Sequence, residues 1–223
     1  MLTCIENVLS QEELSELRQL ASSQPLEDGK RTAGYRARAV KHNLQLAPEA
    51  KYKRRLNDII GSALRRNSAF RTAAFPRRLS PVLLSLYENG MHYGAHVDDA
   101  LMGRGDKIRS DVSTTVFLSD PADYVGGELL VSMGFGEVAV KLPAGAAVVY
   151  SSTSLHRVAE VSEGQRLAAV LWTESHIRDP GQRELLFDLH RVKEHMHQVD
   201  EHGEETALAF KTYSNLLRMW AET

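Results

Sequence analysis

Two histidines and an aspartate in this chain form a set of side chains that can bind one metal ion. His96 and Asp98 occur in the run His96-Val97-Asp98, and His156 follows far downstream. Two neutral imidazoles and a carboxylate are the ligand set of mononuclear non-haem Fe(II) sites, and they also suit a catalytic Zn²⁺. Three protein ligands leave further metal positions open, so the predicted chemistry is oxidation at iron or hydrolysis at zinc.

The spacing of these residues predicts how they meet. Residues i and i+2 of a β-strand point to the same side, so a strand can aim His96 and Asp98 at one ion while Asp99 faces away. The third ligand must come from a distant strand. His156 qualifies because it lies at a strand–loop junction, just after Val148-Val149-Tyr150 and a run of small residues.

Arg166 is the candidate for binding a carboxylate beside the metal. A guanidinium can hold a carboxylate through two parallel hydrogen bonds, which an ammonium cannot do. The sequence predicts that 157–161 and 167–173 form a hairpin across Glu163-Gly164, with Arg166 on the strand next to His156. The residues after Arg166 form an apolar run typical of a buried strand, and a charge beside such a strand needs a partner.

Tyr87 and Tyr93 precede His96 closely and are candidate hydroxyl donors to a bound carboxylate. Packing of the two aromatic rings in the core or at its rim is an equally good interpretation.

The elements that must position these residues are mainly strands. Short β-rich segments alternate with turn signals from about residue 79, which indicates an all-β sandwich or barrel core. Glu128–Ser132 and Gly136–Val140 flank Met133-Gly134-Phe135 and predict a hairpin. Further strands are predicted at 83–87, 114–118 and 146–150.

Helices are predicted on both sides of this core. Ser10 and Glu13 form a capping box for a helix over about 10–22, and a second helix with an apolar stripe at 56–64 follows Pro48. Asp179-Pro180 starts a C-terminal helix, a polar histidine-bearing stretch follows at 193–205, and a final helix carries Trp220. We therefore divide the chain into an N-terminal helical support region (1–77), a β-domain (78–177) and a C-terminal helical extension (178–223).

Composition restricts the class of protein. The chain has 223 residues with 43% hydrophobic and 25% charged residues, which is the mix of a soluble globular domain. Its 27 basic and 29 acidic residues give a net charge of −2, so no nucleic-acid partner is expected. There is no apolar run of membrane-spanning length, and the single cysteine, Cys4, cannot form an internal disulfide; the expectation is a cytoplasmic protein without a membrane partner.

Several short motifs surround the candidate site residues. They are Tyr87…Gly90-Met91-x-Tyr93-Gly94-x-His96-Val97-Asp98, Gly126-Gly127-Glu128-Leu129, Leu142-Pro143-Ala144-Gly145, Ser152-Thr153-Ser154-Leu155-His156-Arg157-Val158, Arg166-Leu167-Ala168-Ala169-Val170-Leu171-Trp172 and Asn215-Leu216-Leu217-Arg218-Met219-Trp220. Together they resemble the bacterial PKHD-type hydroxylases, which are Fe(II)/2-oxoglutarate dioxygenases of the prolyl 4-hydroxylase-like group. The resemblance extends over nearly the whole chain.

The resemblance implies a double-stranded β-helix (jelly-roll) core at about 78–177. It implies His96, Asp98 and His156 as iron ligands and Arg166 as the anchor of the distal carboxylate of 2-oxoglutarate. It also implies O₂ as oxidant, succinate and CO₂ as products, and L-ascorbate as reductant. Where animal prolyl hydroxylases place a tyrosine on the strand that looks equivalent to 114–118, this chain has only Phe117 as an aromatic, so the assisting hydroxyl would come from Thr115, Tyr87 or Tyr93.

Two alternatives belong to other classes of protein. One is a Zn²⁺-dependent hydrolase on the same three residues, and the other is a non-catalytic iron- or small-molecule-binding module on the same β-core. The oxidised substrate stays open between a small molecule and a peptidyl group. The apolar stripes of the C-terminal helices either cover the core or pair two chains, so a homo-oligomer stays open as well.

Overall fold

Two antiparallel β-sheets form the centre of the protein. The structure is a computed structural model that describes residues 1–47, 49–103 and 105–223. The larger sheet contains β1 (Leu2–Ile5), β2 (Leu26–Asp28), β4 (Leu44–Leu46), β5 (Pro76–Leu79), β6 (Leu83–Tyr87), β10 (Val112–Phe117), β14 (Ala147–Ser151) and β17 (Arg166–Ser175). The smaller sheet contains β3 (Lys41–His42), β7 (His92–His96), β12 (Leu129–Met133), β13 (Gly136–Val140) and β15 (His156–Val158).

The order of the strands shows that the chain passes repeatedly between the two sheets. The larger sheet runs β1-β14-β10-β17-β6-β4-β2, with β5 paired to β17, and the smaller runs β13-β12-β15-β7-β3. Two further short pairs join β8 (Leu101–Met102) to β9 (Ile108–Arg109) and β11 (Tyr124–Gly126) to β16 (Val161–Gly164). Two facing antiparallel sheets with crossing connections are the arrangement of a double-stranded β-helix, which the family resemblance implies.

The predicted hairpin between 157–161 and 167–173 is wrong. Strand β15 pairs with β12 and β7 in the smaller sheet, whereas β17 lies in the larger sheet between β10 and β6. The chain crosses from one sheet to the other between these strands. A turn signal at Glu163-Gly164 shows only that the chain changes direction, and it cannot distinguish a hairpin from a crossing between sheets. The hairpin of β12 and β13 is confirmed.

Alternation along β10 explains how the two faces of the larger sheet differ. All six residues of β10 are buried, because both faces of the sheet are covered. Val112 and Val116 face outward and join a core cluster with helices α1 (Gln11–Ser22), α3 (Ala50–Arg66) and α4 (Ser68–Ala74). Phe117 faces inward and packs with residues of the smaller sheet. The helices therefore support the larger sheet from behind and leave its inner face for the site.

The helical predictions agree closely with the structure. Helix α1 begins after Ser10, and the capping box between Ser10 and Glu13 is present. Helix α3 covers the predicted second helix, although Pro48 itself lies outside the described residues. Besides these helices, the chain up to residue 79 supplies a short helix, α2 (Tyr35–Ala39), and strands β1 to β5, which the sequence patterns did not predict because those strands are only two to four residues long.

The C-terminal extension forms two helices that pack on each other. Helix α5 (Pro180–Val199) begins at the Asp179 N-cap, and α6 (Glu204–Trp220) follows a short turn. The predicted polar stretch at 193–205 is therefore partly the end of α5. Arg109 ties this region to the core because it donates to both Asp111 and Glu222. In the part of the chain that the structure describes, no helix is long and apolar enough to cross a membrane.

Candidate active site

The three predicted metal-binding side chains meet in the space between the two sheets. One candidate ligand atom from each of His96, Asp98 and His156 lies within 4.8 Å of the others. The Nε2 of His156 is 3.8 Å from the Asp98 Oδ2, and the two imidazole centroids are 4.3 Å apart. Metal–ligand distances near 2.1 Å place neighbouring ligand atoms about 3 Å apart, so a small closing movement completes a site. The residues fit a divalent metal ion.

An irregularity in strand pairing aims His96 into this space. His156 of β15 lies opposite His96 of β7, but Val158 lies opposite Tyr93, so two steps on β15 match three on β7. Such a bulge reverses the alternation of the longer strand. Tyr93 and His96 therefore share one side of the sheet, with their rings stacked 3.6 Å apart. Strand β7 ends at His96, so Asp98 lies just beyond the strand, not in it as the spacing predicted.

A small residue lets the chain approach β7 closely at this bulge. Gly94 donates its backbone N–H to the Val40 carbonyl at 2.8 Å. A Cβ at Gly94 would lie 2.7 Å from the Val40 Cβ, which is too close for two carbon atoms. Glycine therefore permits the pairing of β3 with β7 beside the histidines.

Backbone carbonyls orient both imidazoles in the same way. The Nδ1 of His96 lies 2.8 Å from the Gly94 carbonyl oxygen, and the Nδ1 of His156 lies 3.0 Å from that of Ser154. A proton donated from Nδ1 leaves the Nε2 lone pair free for a metal. The pKa of His96 is lowered to about 4, mainly by burial and secondly by the neighbouring His156, so this ring is neutral at physiological pH.

Asp98 is held by a pair of serines. The Ser113 hydroxyl donates to the Asp98 Oδ2 and lies 2.8 Å from the Ser152 hydroxyl. Both serines are buried: Ser113 lies on β10 of the larger sheet, and Ser152 directly follows β14. The carboxylate of a residue outside any strand is thus oriented by the rigid sheet across from it.

We expect Ser113→Ala to weaken metal binding without abolishing it. Loss of the hydroxyl leaves Asp98 free to rotate, and removal of such an orienting hydrogen bond typically costs about 10- to 100-fold in metal affinity. Anaerobic titration with Fe(II) or Mn(II) measures this. Ser132→Ala, on the smaller sheet, is the matched control and should bind metal as the wild type does. Equal metal affinity of Ser113→Ala and wild type would show that Asp98 needs no such support.

Arg166, on β17 of the larger sheet, lines the same cavity as the two histidines of the smaller sheet. Its side chain is only 2% exposed, and it lines a cavity of about 500 Å³ together with His96, Asp98 and His156. The guanidinium lies over the Tyr87 ring at 5.2 Å, and its Nε has no hydrogen-bond partner among the described residues. No carboxylate of those residues pairs with it. A buried arginine without an anion is costly, so this arrangement indicates an anionic ligand.

The turn at Gly126-Gly127 makes room for this arginine. Gly127 has a φ of +68°, which side chains rarely adopt, and a Cβ there would lie 3.0 Å from the Arg166 Cδ. A larger residue at 127 would therefore press on the guanidinium-bearing side chain as well as strain the backbone.

The three predicted hydroxyl-bearing residues all line the cavity. Tyr87 lies opposite Arg166 in the pairing of β6 with β17, and burial raises its pKa to about 12. Tyr93 stacks on His96, and Thr115 is on the inner face of β10. Tyr150 was not predicted. It is buried, its ring centroid is 5.1 Å from that of His156, and its place at the end of a predicted strand was the available signal.

Lys41 is the second residue that the sequence patterns missed. It lies on β3 opposite Tyr93, is 5% exposed and lines the cavity. Burial outweighs the attraction of Asp98 and Asp28 and lowers the Lys41 pKa to about 8. A lone lysine in a two-residue strand carries no sequence signal, since only the pairing with β7 brings it to the site.

Comparison with known proteins agrees with this geometry. Residues 82–174 match the 2OG-Fe(II) oxygenase superfamily, and residues 180–222 match the PKHD-type hydroxylase C-terminal domain. A PKHD-type hydroxylase of Thermosynechococcus vestitus is 49% identical over 223 residues, covering all of both chains. One of Polaromonas is 44% identical over 229 residues, again covering all of both chains.

Solved structures show the same fold at low sequence identity. A prolyl hydroxylase of Trichoplax adhaerens, solved with a peptide fragment of the hypoxia inducible factor oxygen degradation domain, is 16% identical with a TM-score of 0.57, covering 82% of this chain and 86% of that one. A prolyl-4-hydroxylase of Pseudomonas putida is 19% identical with a TM-score of 0.52, covering 78% and 92%.

The double-stranded β-helix with its buried His, Asp and His cluster defines a dioxygenase that depends on Fe(II), 2-oxoglutarate and O₂. Within that class, the full-length relatives show that this chain belongs to the PKHD-type hydroxylases. The oxygenase prediction is confirmed over the hydrolase and the non-catalytic module. The superfamily acts on small-molecule or peptide substrates.

Proposed function

We propose that His96, Asp98 and His156 hold Fe(II) and that Arg166 binds the distal carboxylate of 2-oxoglutarate. One observation carries this proposal: Arg166 is buried with no ion-pair partner among the described residues, in the same cavity as three converging side chains that could hold a metal ion. A metal ion and a dicarboxylate are the two groups that such a set of side chains would bind. The fork of the guanidinium matches a carboxylate better than it matches any neutral group.

Fe(II) with bound 2-oxoglutarate supplies the oxidising chemistry, in which one oxygen atom of O₂ hydroxylates the substrate while 2-oxoglutarate is converted to succinate and CO₂. The protein holds the parts in place. Ser113 fixes Asp98, backbone carbonyls fix the imidazoles, and Arg166 would orient the co-substrate by its far end. Tyr87, Tyr93, Thr115 or Tyr150 would supply the assisting hydroxyl, since all four line the cavity.

Apolar side chains restrict water around this centre. Leu129 and Val158 from the smaller sheet and Val170 and Trp172 from the larger sheet line the same cavity. Excluding water protects a reactive oxidising centre from side reactions. The cavity reaches the surface near Val97 and Leu101, which are 47% and 57% exposed. We infer that a small molecule or a peptidyl segment enters there.

We also propose that the protein is cytoplasmic and that ascorbate serves as its reductant. Iron in this site must stay ferrous between turnovers, which a reducing compartment and a small reductant favour. The exposed thiol of Cys4 is also compatible with a reducing environment.

Anaerobic spectroscopy tests the assignment. We expect a visible charge-transfer band when Fe(II) and 2-oxoglutarate are added together, and none with either alone. Admission of O₂ should then produce succinate even without substrate. A band that forms without 2-oxoglutarate, or succinate formation that does not depend on Fe(II), would contradict the assignment.

A further inference from the structure

Lys41 is a buried cation with few partners. Its Nζ donates to the Thr32 hydroxyl at 3.3 Å and lies 5.0 Å from the centroid of the Tyr93 ring. Among the residues that the structure describes, no carboxylate lies within ion-pair distance of this ammonium. An ammonium has three protons to donate, and the Thr32 hydroxyl accepts one of them; Lys41 also lines the cavity, so a ligand there can accept another.

The carboxylates nearest to Lys41 are already engaged. Asp98 accepts from Ser113 and belongs to the metal site, and Asp28 accepts the backbone N–H of Lys30. Both attract the Lys41 charge from a distance, yet neither forms an ion pair with it. The charge of Lys41 is therefore left for another group.

The balance of charge in the cavity points to an anion. Among the described residues that line the cavity, two buried cations, Lys41 and Arg166, are opposed by one carboxylate with a buried side chain, Asp98. The charges of Fe(II) and of the 2-oxoglutarate dianion would cancel each other. Binding of both would therefore leave one positive charge in excess in the cavity. At the rim, Arg31 is paired with Glu27 and so adds no net charge, and Asp99 is exposed to water, which screens its charge.

Position separates Lys41 from the arginine. Arg166 belongs to β17 of the larger sheet, whereas Lys41 belongs to β3 at the edge of the smaller sheet. Its partner Thr32 precedes Ala33 and Gly34, which also line the cavity. Lys41 thus belongs to a different part of the cavity wall from the arginine that the co-substrate would occupy.

We propose that Lys41 binds a carboxylate of the molecule that is oxidised, so that the substrate of this enzyme is a carboxylic acid. This inference rests on the proposed function, since it assumes that Arg166 is taken by 2-oxoglutarate. The shared chemistry includes a free amino acid and the C-terminal carboxylate of a peptide.

Matched pairs of small ligands test the proposal. The anaerobic Fe(II)–2-oxoglutarate complex of the full chain is titrated with propionate, hexanoate and benzoate, and with the corresponding amides. Binding is followed by the visible band and by broadening of the ligand NMR lines. At least one acid should bind about 10- to 100-fold more tightly than its amide, as expected for a hydrogen bond to a charged group.

Variants assign that preference to Lys41. In Lys41→Met the preference for the acid should disappear, and in Lys41→Arg it should persist. Lys41→Gln provides a second neutral variant if the methionine variant does not fold. Lys211→Met removes an exposed lysine on α6 and should change nothing. Titration of the same anaerobic complex with a dipeptide and with its C-terminal amide then distinguishes a free acid from a peptide terminus.

The experiments distinguish a failure of the iron and 2-oxoglutarate site from a failure of the role of Lys41. Absence of the charge-transfer band in the wild type overturns the iron and 2-oxoglutarate site. With the band present, acids that bind no better than amides overturn the role of Lys41, as does an unchanged preference in Lys41→Met. A loss of 2-oxoglutarate affinity in Lys41→Met, by tenfold or more, would assign Lys41 to the co-substrate and also overturn the proposal.

Discussion

Replacing His156 with alanine should reduce succinate formation to background and weaken Fe(II) binding by at least about 100-fold. The variant keeps only His96 and Asp98 as ligands, and two ligands hold a divalent metal far less firmly than three. The buried Nε2 of His156 lies 3.8 Å from the Asp98 Oδ2, and the described residues around it offer no other imidazole to replace it. Metal titration and the anaerobic visible band measure the effect.

A second histidine serves as the control for this experiment. His92 lies on the same strand as His96, but its ring packs edge-to-face on His42 and it does not line the cavity. His92→Ala should bind Fe(II) as the wild type does and retain activity. Full activity in His156→Ala, or an equal loss of metal in both variants, would show that the metal lies elsewhere.

Replacing Arg166 with alanine should weaken 2-oxoglutarate binding by about 2–4 kcal/mol, the usual cost of leaving one member of a buried charged pair alone. That corresponds to roughly 30- to 700-fold in affinity. Fe(II) binding should remain, because Arg166 is not among the three converging ligands. The two titrations, metal alone and then co-substrate, separate these effects.

Arg166→Lys refines the result. A lysine keeps the positive charge but loses the planar fork, so its affinity for 2-oxoglutarate should fall between those of the wild type and the alanine variant. The matched control is Arg157→Ala, which removes a surface arginine that is 40% exposed and paired with Glu137. Unchanged co-substrate affinity in Arg166→Ala would remove the arginine from the site.

The substitution Arg166→Ala should change the stability of the folded protein much less than it changes the affinity for 2-oxoglutarate. The buried guanidinium has an unsatisfied Nε and no ion pair among the described residues. Interactions within the protein therefore do not offset the free-energy cost of its desolvation. Its loss therefore costs little beyond the cavity it leaves. Activity and stability are thus separable at this position.

Much of the local structure followed from patterns within the sequence. The capping box of Ser10 and Glu13, the hairpin of β12 and β13, and the helix that begins at Pro180 are encoded by residues a few positions apart. These interactions join residues close in the chain, so they do not depend on which distant strands pair. The types of the metal-binding side chains were equally plain, because few residue types ligate iron.

The arrangement of strands could not be predicted from the same patterns. Arg166 was expected beside His156 on a paired strand, but the two residues face each other across the gap between two sheets. The apolar and polar alternation in 157–173 is equally compatible with a hairpin and with a crossing. Only the competition among distant strands for hydrogen-bonding edges decides which pairing forms.

The residue types and motifs alone indicated the chemistry of this protein: two imidazoles, a carboxylate and an arginine. How these groups come together depends on the pairing of distant strands. A bulge between β7 and β15 turns Tyr93 and His96 to one side, Ser113 from the other sheet orients Asp98, and a two-residue strand brings Lys41 into the cavity. These features depend on register between strands far apart in the chain, and a shift of one residue reverses which face a side chain occupies.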